Sequence, residues 1–242
     1  MNSLARPSCK KSPGRTPVLS PDALHLFCHD FRIPLTSISA YAELIQSKGC
    51  DARQREQFAL SLVLQTRRMA RMVDNLELLS GENTANRCED VFDAHAAAEA
   101  AVVELRPLAE AHGVAIELEV PPGHYFARGG AGCFVNALDW LLEAAQRLAL
   151  RGDRVTVHLE RAADWVRAGV VFPHAEVSDE ALAELREFEP RVMPPDLIRG
   201  IAAPLWVALR VFKECGGRAE IQRAGDSIRW DLNVKAIQAI PE

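Results

Sequence analysis

Two consecutive segments place apolar residues at alternating spacings of four and three, as in helices that face a partner helix in a coiled coil. In the first segment these positions are Leu24, Cys28, Phe31, Leu35, Ile38, Ala42 and Ile45. In the second they are Phe58, Leu62, Gln65, Met69, Met72, Leu76 and Leu79, of which only Gln65 is polar. The spacing predicts an antiparallel helical hairpin within residues 21–81. Because its apolar stripe is too wide for one partner helix, we expect two chains to form a dimeric four-helix bundle.

Residues that favour helix termini mark both ends of the first helix. Ser20 is a capping residue, Pro21 is tolerated at the first helical position, and Gly49 follows the last turn. Residues 1–20 are basic and rich in proline but lack an apolar stretch. We therefore expect a flexible basic tail, without a secretory signal and without a sensor domain ahead of the hairpin.

Composition limits the classes of function. The chain has 242 residues, of which 48% are hydrophobic and 25% charged, enough for two modest domains. Its net charge of −5 gives no electrostatic basis for binding nucleic acid. No apolar run approaches the roughly 18–20 residues of a membrane helix. The six cysteines form no C-x-x-C pair, which favours reduced thiols in a cytoplasmic protein over a disulfide framework or zinc site.

The sequence after the hairpin has a mixed periodicity. Residues 82–91 are polar and aperiodic and predict a linker, and residues 92–242 predict a second domain. We expect helices at 94–112, 131–150, 178–187 and 204–215. We expect strands at 114–120, 154–160, 165–172, 218–223 and 227–234. The whole chain is thus predicted to be α+β with two domains, the second an α/β sandwich whose helices cover one face of a sheet.

Two sequence motifs of the hairpin suggest its chemistry. The first helix reads His-Asp-Phe-Arg-Ile-Pro-Leu from His29 and continues as Ser-Ile-Ser-Ala-Tyr-Ala-Glu-Leu. The second helix ends in Arg-Met-Ala-Arg-Met-Val-Asp-Asn-Leu-Glu-Leu-Leu-Ser at residues 68–80. Both motifs resemble the phosphoacceptor hairpin of bacterial two-component histidine kinases. The order of elements after residue 90 resembles the ATP-binding domain that follows this hairpin in the family.

The resemblance implies roles for three residues of the first helix. His29 would carry a phosphoryl group, and the carboxylate of Asp30 would hold the neutral imidazole in its nucleophilic tautomer. Arg32 would offer its guanidinium to the phosphoryl oxygens. Many family members carry threonine or asparagine four residues after the histidine, where this chain has Ile33. Isoleucine cannot orient a water for dephosphorylation, so we expect no phosphatase activity.

The family's nucleotide-binding motifs are absent from the places that match them. Trp140 and Ala144 replace the two asparagines that would hold magnesium and phosphates. Residues 172–176 lack the aspartate and glycines of the adenine motif, and residues 202–207 lack the glycines of the phosphate loop. We therefore expect a retained fold whose nucleotide pocket has closed. The glycine cluster at 129–132 is an alternative anion site, although such clusters more often mark a strand-to-helix turn.

The leading hypothesis is a dimeric histidine phosphotransfer protein that passes a phosphoryl group between receiver-domain aspartates through His29. Its partners would be response-regulator receiver domains and possibly a hybrid histidine kinase. It would need no cofactor of its own, because the receiver holds the magnesium. Two alternatives stay open: a non-catalytic regulator that docks on a kinase or response regulator, and a divergent ATP-dependent sensor histidine kinase.

Other chemically active side chains predict structural roles. The remaining histidines lack metal-ligand spacing, and the four tryptophans are expected in the core or the sheet. Five arginines of the second helix predict a solvated face that could guide an acidic receiver toward His29. They are Arg53, Arg55, Arg67, Arg68 and Arg71.

Overall fold

The computed structural model describes residues 21–79, 91–173, 178, 179, 182, 183, 186 and 202–237. Five helices lie in these ranges: α1 (Pro21–Gln46), α2 (Ala52–Leu79), α3 (Ala94–His112), α4 (Ala131–Leu148) and α5 (Ala202–Glu214). The seven strands are β1 (Val91–Asp93), β2 (Ala115–Glu119), β3 (Phe126–Arg128), β4 (Arg154–Ala162), β5 (Trp165–Pro173), β6 (Arg218–Ala224) and β7 (Ser227–Ala236). The predicted tail at 1–20 lies outside the described residues.

Helices α1 and α2 form the predicted hairpin. Near the loop between them, the rings of Tyr41 and Phe58 stack with their centroids 5.8 Å apart. Asp51 caps α2 reciprocally with Gln54: the Gln54 amide donates to Asp51 Oδ1 at 2.8 Å, and Gln54 Oε1 accepts from the Asp51 amide at 3.1 Å. These paired bonds satisfy backbone groups at the helix start and fix the turn between the two helices.

The single chain leaves part of the hairpin's apolar surface uncovered. Leu35, a predicted seam residue, is 48% exposed. Four further large apolar side chains on the two helices are also exposed: Leu44, Leu60, Val63 and Val73. These five side chains of the hairpin are therefore left open to solvent in one chain.

A seven-stranded mixed sheet forms the second part of the chain. Its order is β1-β3-β7-β5-β4-β2, and β6 pairs with the edge of β7 next to β3. The pair of β2 and β4 is parallel and the other pairs are antiparallel. Alternate residues Val155, Val157 and Leu159 of β4 are buried, as expected for a sheet packed on one face.

Local contacts fix the ends of the elements in this part. Asp93 caps α3 by accepting from the amides of His95 and Ala96, and Gly113 ends the helix in the left-handed conformation at φ 76°. After α5, the ring of Phe212 lies where a side chain on residue 217 would begin, at 2.4 Å from an ideal Cβ. Only glycine fits at Gly217, so the chain can turn tightly from α5 into β6.

The predicted α+β fold is confirmed, with corrections at short elements. Strands β1 and β3 were not predicted, because three residues are too few to show alternation. The predicted linker ended at residue 91, whereas Val91 already begins β1 by pairing with Arg128. Residues 179, 182, 183 and 186 are helical, and the rest of the helix predicted at 178–187 lies outside the described residues. No helix among the described residues is long and apolar enough to span a membrane.

Candidate functional site

His29 and Asp30 are neighbours in sequence but lie in opposite environments on α1. The His29 side chain is 53% exposed, whereas that of Asp30 is fully buried. The two are in contact, with His29 Nδ1 lying 3.2 Å from Asp30 Oδ1. A carboxylate at Nδ1 selects the tautomer that carries its proton there and leaves a lone pair on Nε2. The pair can therefore present a neutral nucleophilic nitrogen to solvent.

The turn after His29 keeps a helical path through Pro34. Arg32 is exposed, and its carbonyl accepts a hydrogen bond from Thr36 Oγ1 at 2.8 Å. Ser37 Oγ donates to the carbonyl of Ile33 at 3.1 Å. Pro34 has no amide hydrogen to donate to the carbonyl four residues earlier. The two hydroxyl bonds supplement the helix in the turn that follows and do not replace that missing bond. The Arg32 guanidinium remains accessible on the helix that carries His29.

A buried interface joins α2 to α4, and it contains charged side chains. Arg68 Nη1 lies 3.2 Å from Glu143 Oε1, and both side chains are at most 5% exposed. Arg71 Nη2 lies 3.5 Å from Glu143 Oε2, and its Nη1 lies 3.3 Å from Glu104 Oε1 on α3. Arg147 Nη2 also contacts Glu143, at 3.0 Å. Three guanidinium groups thus compensate one buried carboxylate.

Trp140 lies at the centre of this interface. It is fully buried, and the guanidinium carbons of Arg68 and Arg71 each lie 5.5 Å from its ring centroid. Such cation–π contacts are favourable when the cation is desolvated. Trp140 stands where the family resemblance predicts a metal-holding asparagine, and two arginines of the same chain's α2 pack on it.

Burial changes the acid–base properties of two of these groups. Desolvation raises the pKa of Asp139 to about 7, although the attraction of Arg71 opposes the shift. Desolvation lowers the pKa of Arg68 to about 10, opposed by the attraction of Glu143 and, to a smaller extent, of Asp30. The Asp30 carboxylate, which contacts His29, therefore also attracts Arg68 of the α2–α4 interface.

The place that matches the family's phosphate loop also packs against the hairpin. Residues 202–207 form the start of α5, where Leu205 and Val207 are buried. Asn75 Nδ2 of α2 donates to the carbonyl of Pro204 at 3.3 Å, and Asn75 Oδ1 accepts a hydrogen bond from Asn136 of α4. Two of the three places where the family would hold nucleotide therefore contact α2. The third includes residues 174–176, outside the described residues.

The predicted solvated arginine face is wrong for Arg68 and Arg71. Arg53, Arg55 and Arg67 are exposed as predicted, but Arg68 is buried and Arg71 is 17% exposed. Arg68 and Arg71 lie on the same helix face as Met72 and Asn75, because each of the four residues is three or four positions from two of the others. This spacing could have indicated their burial from the sequence. Acidic partners on α3 and α4 are distant in sequence and could not be assigned from it.

The other candidate groups have structural environments. Of the glycine cluster at 129–132, residues 129 and 130 connect β3 to α4, and residues 131 and 132 begin the helix. His95 packs edge-on against Tyr125, and His158 Nδ1 lies 3.0 Å from Glu119 Oε2. Within the part of the chain that the structure describes, no group of three or more histidine, cysteine or acidic side chains could hold a metal ion.

Comparison with known proteins identifies the hairpin. Residues 24–83 match the His Kinase A (phospho-acceptor) domain family. Sensor protein IrlS of Burkholderia pseudomallei (strain K96243) is 29% identical over 157 residues. The matched region covers 61% of this chain and 33% of that protein, so the chain spans about a third of the length of this curated relative.

Solved structures share the fold of nearly the whole chain. The histidine kinase AdeS of Acinetobacter baumannii matches with a TM-score of 0.54 at 15% identity, covering 86% of this chain and 97% of that one. A structure described as a bacterial phosphotransferase matches with a TM-score of 0.51 at 17% identity, covering 90% of this chain and 100% of that one. The chain thus contains a match to the phospho-acceptor domain at residues 24–83, is similar to a sensor protein over 157 residues, and shares the fold of the histidine kinase AdeS.

Proposed function

We propose that the protein is a histidine phosphotransfer protein of a two-component phosphorelay. In this proposal a phosphorylated receiver aspartate donates its phosphoryl group to His29, and His29 passes the group to a second receiver. The chain binds no ATP for this reaction and needs no cofactor, because the receiver holds the magnesium. Members of the family act in two-component signalling with response regulators, so the proposal concerns the source of the phosphoryl group.

The observation that carries the proposal is the burial of α2 against the nucleotide-site positions. Arg68 and Arg71 pack on Trp140, and Asn75 contacts Pro204. Nucleotide binding there would require these contacts to break and would leave Glu143 and Asp139 with less compensation in a buried site. The neighbour described as a bacterial phosphotransferase, which shares this fold, adds support.

The geometry at His29 supports transfer through Nε2. The lone pair on Nε2 attacks the phosphorus of a receiver acyl phosphate, and the bond from phosphorus to the aspartate oxygen breaks. The receiver aspartate leaves as a carboxylate, while the proton on Nδ1 stays beside Asp30. The exposed Arg32 guanidinium is proposed to contact the phosphoryl oxygens during transfer. The reverse sequence delivers the group to the second receiver.

The exposed apolar side chains of the hairpin support a homodimer. Leu35 and Leu44 on α1, and Leu60 and Val63 on α2, lie open to solvent in one chain. A second hairpin packed on the predicted seam would cover Leu35 and complete a four-helix bundle. Dimerisation is general in the family and would place two copies of His29 on one bundle.

A divergent sensor histidine kinase is the second candidate function. The observation that favours it is the relationship to sensor protein IrlS, whose matched region extends beyond the hairpin because it covers 61% of this chain. In this case α2 would have to leave α4 for ATP to bind.

Transfer from a labelled receiver tests the proposal. Receiver domains from the host, carrying radiolabelled phosphate on the aspartate, are mixed with the full-length protein without ATP. We expect label to move to the wild type and to a His25→Ala variant, and to be absent from His29→Ala. His25 is the matched control, because it is an exposed histidine one turn earlier on α1.

The Asp30→Asn variant keeps His29 and tests whether the Asp30 carboxylate favours its nucleophilic tautomer. We expect it to accept label at least about tenfold more slowly, because the carboxylate that favours the nucleophilic tautomer is lost. Label on His29→Ala, or no transfer from any host receiver to the wild type, would contradict the proposal; the second result would favour a non-catalytic regulator.

A further inference from the structure

Two cysteine side chains from distant parts of the sequence meet inside the fold. The sulfur atoms of Cys133 and Cys215 lie 2.9 Å apart, although the residues are 82 positions apart in sequence. The two residues are 3% and 7% exposed. A disulfide requires about 2.05 Å between the sulfurs, so a movement of less than about 1 Å would bring them to bonding distance.

The backbone around the pair brings these thiols together. Cys133 lies in the first turn of α4, and Cys215 follows the last residue of α5. Just before α4, an ideal Cβ on Gly129 would lie 3.8 Å from the carbonyl oxygen of Cys215. The start of one helix is thus held beside the end of the other. Both cysteines also belong to one apolar cluster, which includes residues of α5.

That cluster includes the beginning of the hairpin. Phe27 of α1 is 2% exposed and packs with Val207, Val211 and both cysteines. The thiols therefore contact the helix that carries His29, which is two residues after Phe27 in the sequence. Neither the receiver-docking hypothesis nor the interface between α2 and α4 uses these thiols.

We propose that Cys133 and Cys215 are a redox modification site that forms an intramolecular disulfide when exposed to a peroxide. One thiolate attacks hydrogen peroxide, which breaks the O–O bond, releases hydroxide and leaves a sulfenic acid. The second thiol then displaces the sulfenic oxygen as water and forms the S–S bond. Two electrons pass from the two sulfurs to the peroxide, and the products are one disulfide and two molecules of water. The pair needs no metal or other cofactor.

Peptide mapping of the oxidised full-length protein tests this site. The protein is treated with graded hydrogen peroxide, blocked with iodoacetamide and digested with trypsin without reduction. Cleavage after Arg128, Arg147, Lys213 and Arg218 yields peptides 129–147 and 214–218. We expect these two peptides to appear joined, two hydrogen masses below their sum, and to separate after dithiothreitol. The bond should also raise the thermal unfolding midpoint by roughly 5 °C, reversibly with dithiothreitol, because it closes a long loop.

Three variants and one internal standard make the result decisive. Cys133→Ala and Cys215→Ala should each abolish the linked peptide, and the variant that keeps the attacking cysteine should accumulate a sulfenic acid there, detected with dimedone. Cys50→Ala, which removes another buried cysteine elsewhere in the fold, should leave the linked peptide unchanged. Cys28 is exposed and reports the oxidant dose as its own dimedone adduct.

The proposal is overturned if peroxide modifies Cys28 while Cys133 and Cys215 are still recovered as iodoacetamide adducts. It is equally overturned if either residue is recovered mainly joined to another cysteine, or if the bond lowers the unfolding midpoint. Formation of the bond does not depend on phosphotransfer through His29, so the two proposals fail independently.

Discussion

Asp139 shows how one buried carboxyl can make the protein sensitive to pH. Its side chain is 6% exposed, and Arg71 approaches it at only 4.0 Å, from Nε to Oδ2. This contact is too long to compensate desolvation, and the nearby carboxylates Glu104 and Glu143 add repulsion. The result is the raised pKa of about 7, which means that the folded protein holds the Asp139 proton more tightly than the unfolded chain does.

The sign of the pH effect follows from that difference. Since ionisation of Asp139 is easier in the unfolded chain, its contribution to stability is lost as pH rises from about 4 through about 7. Asp139→Asn has no carboxyl to ionise and avoids this loss. We therefore expect the free energy of unfolding of the variant, measured with urea, to rise relative to that of the wild type by on the order of 2 kcal/mol as the pH goes from 5 to 8.

Asp164→Asn is the control for this measurement, because Asp164 lies exposed in the turn between β4 and β5. Its difference from the wild type should stay within about 0.5 kcal/mol over the same pH range. A difference between Asp139→Asn and the wild type that does not change from pH 5 to pH 8 would show that Asp139 has an ordinary pKa.

Among the elements, helix α2 makes two kinds of contact with two different sets of its residues. One set of its residues continues the apolar seam of the hairpin, and another set contacts α3, α4 and α5. The second set contains Arg68, Arg71, Asn75 and also Met72, which was predicted as a seam residue. Met72 is fully buried in the same core cluster as the sheet, so α2 links the hairpin to the second part of the fold.

Neighbouring arginines on α2 provide a direct test of this interface. Arg68 is buried against Glu143 and Trp140, whereas the side chain of Arg67 is 56% exposed and lies 3.8 Å from Glu104. Arg68→Ala should lower the free energy of unfolding by about 3 kcal/mol, because it removes a buried ion pair and a stacking contact. Arg67→Ala should change it by less than about 1 kcal/mol. Equal losses in urea unfolding would contradict the buried α2–α4 contact.

The long elements could be predicted from sequence, and the contacts between them could not. Helices α1 and α2 showed sustained heptad spacing, and β4 showed alternating apolar residues, so periodicity was sufficient. Three-residue strands such as β1 lack a period and exist only because a partner strand supplies hydrogen bonds. The burial of Arg68 depends on Glu143, 75 positions away, which no local pattern encodes.

The candidate site was predictable to the extent that it is local. His29 and Asp30 are adjacent, so a motif was enough to bring the imidazole and the carboxylate together. The departure of Trp140 and Pro204 from the family's motifs was also visible in the sequence. Their contacts with α2 were not visible, because those contacts arise only in the folded molecule.

For the whole molecule, the exposure of Leu35 in the predicted seam leads us to expect a dimer. If the wild type is a dimer, Leu35→Glu should make it a monomer, because two charges would be desolvated at the seam. Light scattering after size exclusion measures the mass of each form.

Val103→Glu is the matched control for the seam, because Val103 is a similarly exposed apolar residue on α3. We expect it to remain dimeric with the wild type. A monomeric wild type, or a Leu35→Glu variant that stays dimeric, would contradict pairing through this seam.

We propose that the phosphoryl group on His29 comes from a partner and not from ATP bound by this chain. Incubation of the purified full-length protein with radiolabelled ATP and magnesium, followed by detection of phosphohistidine, tests this proposal. If His29 receives its phosphoryl group from a partner, we expect no label on the wild type and no rise in its thermal unfolding midpoint with ATP. Robust labelling of the wild type that is lost in His29→Ala would instead establish an ATP-dependent kinase.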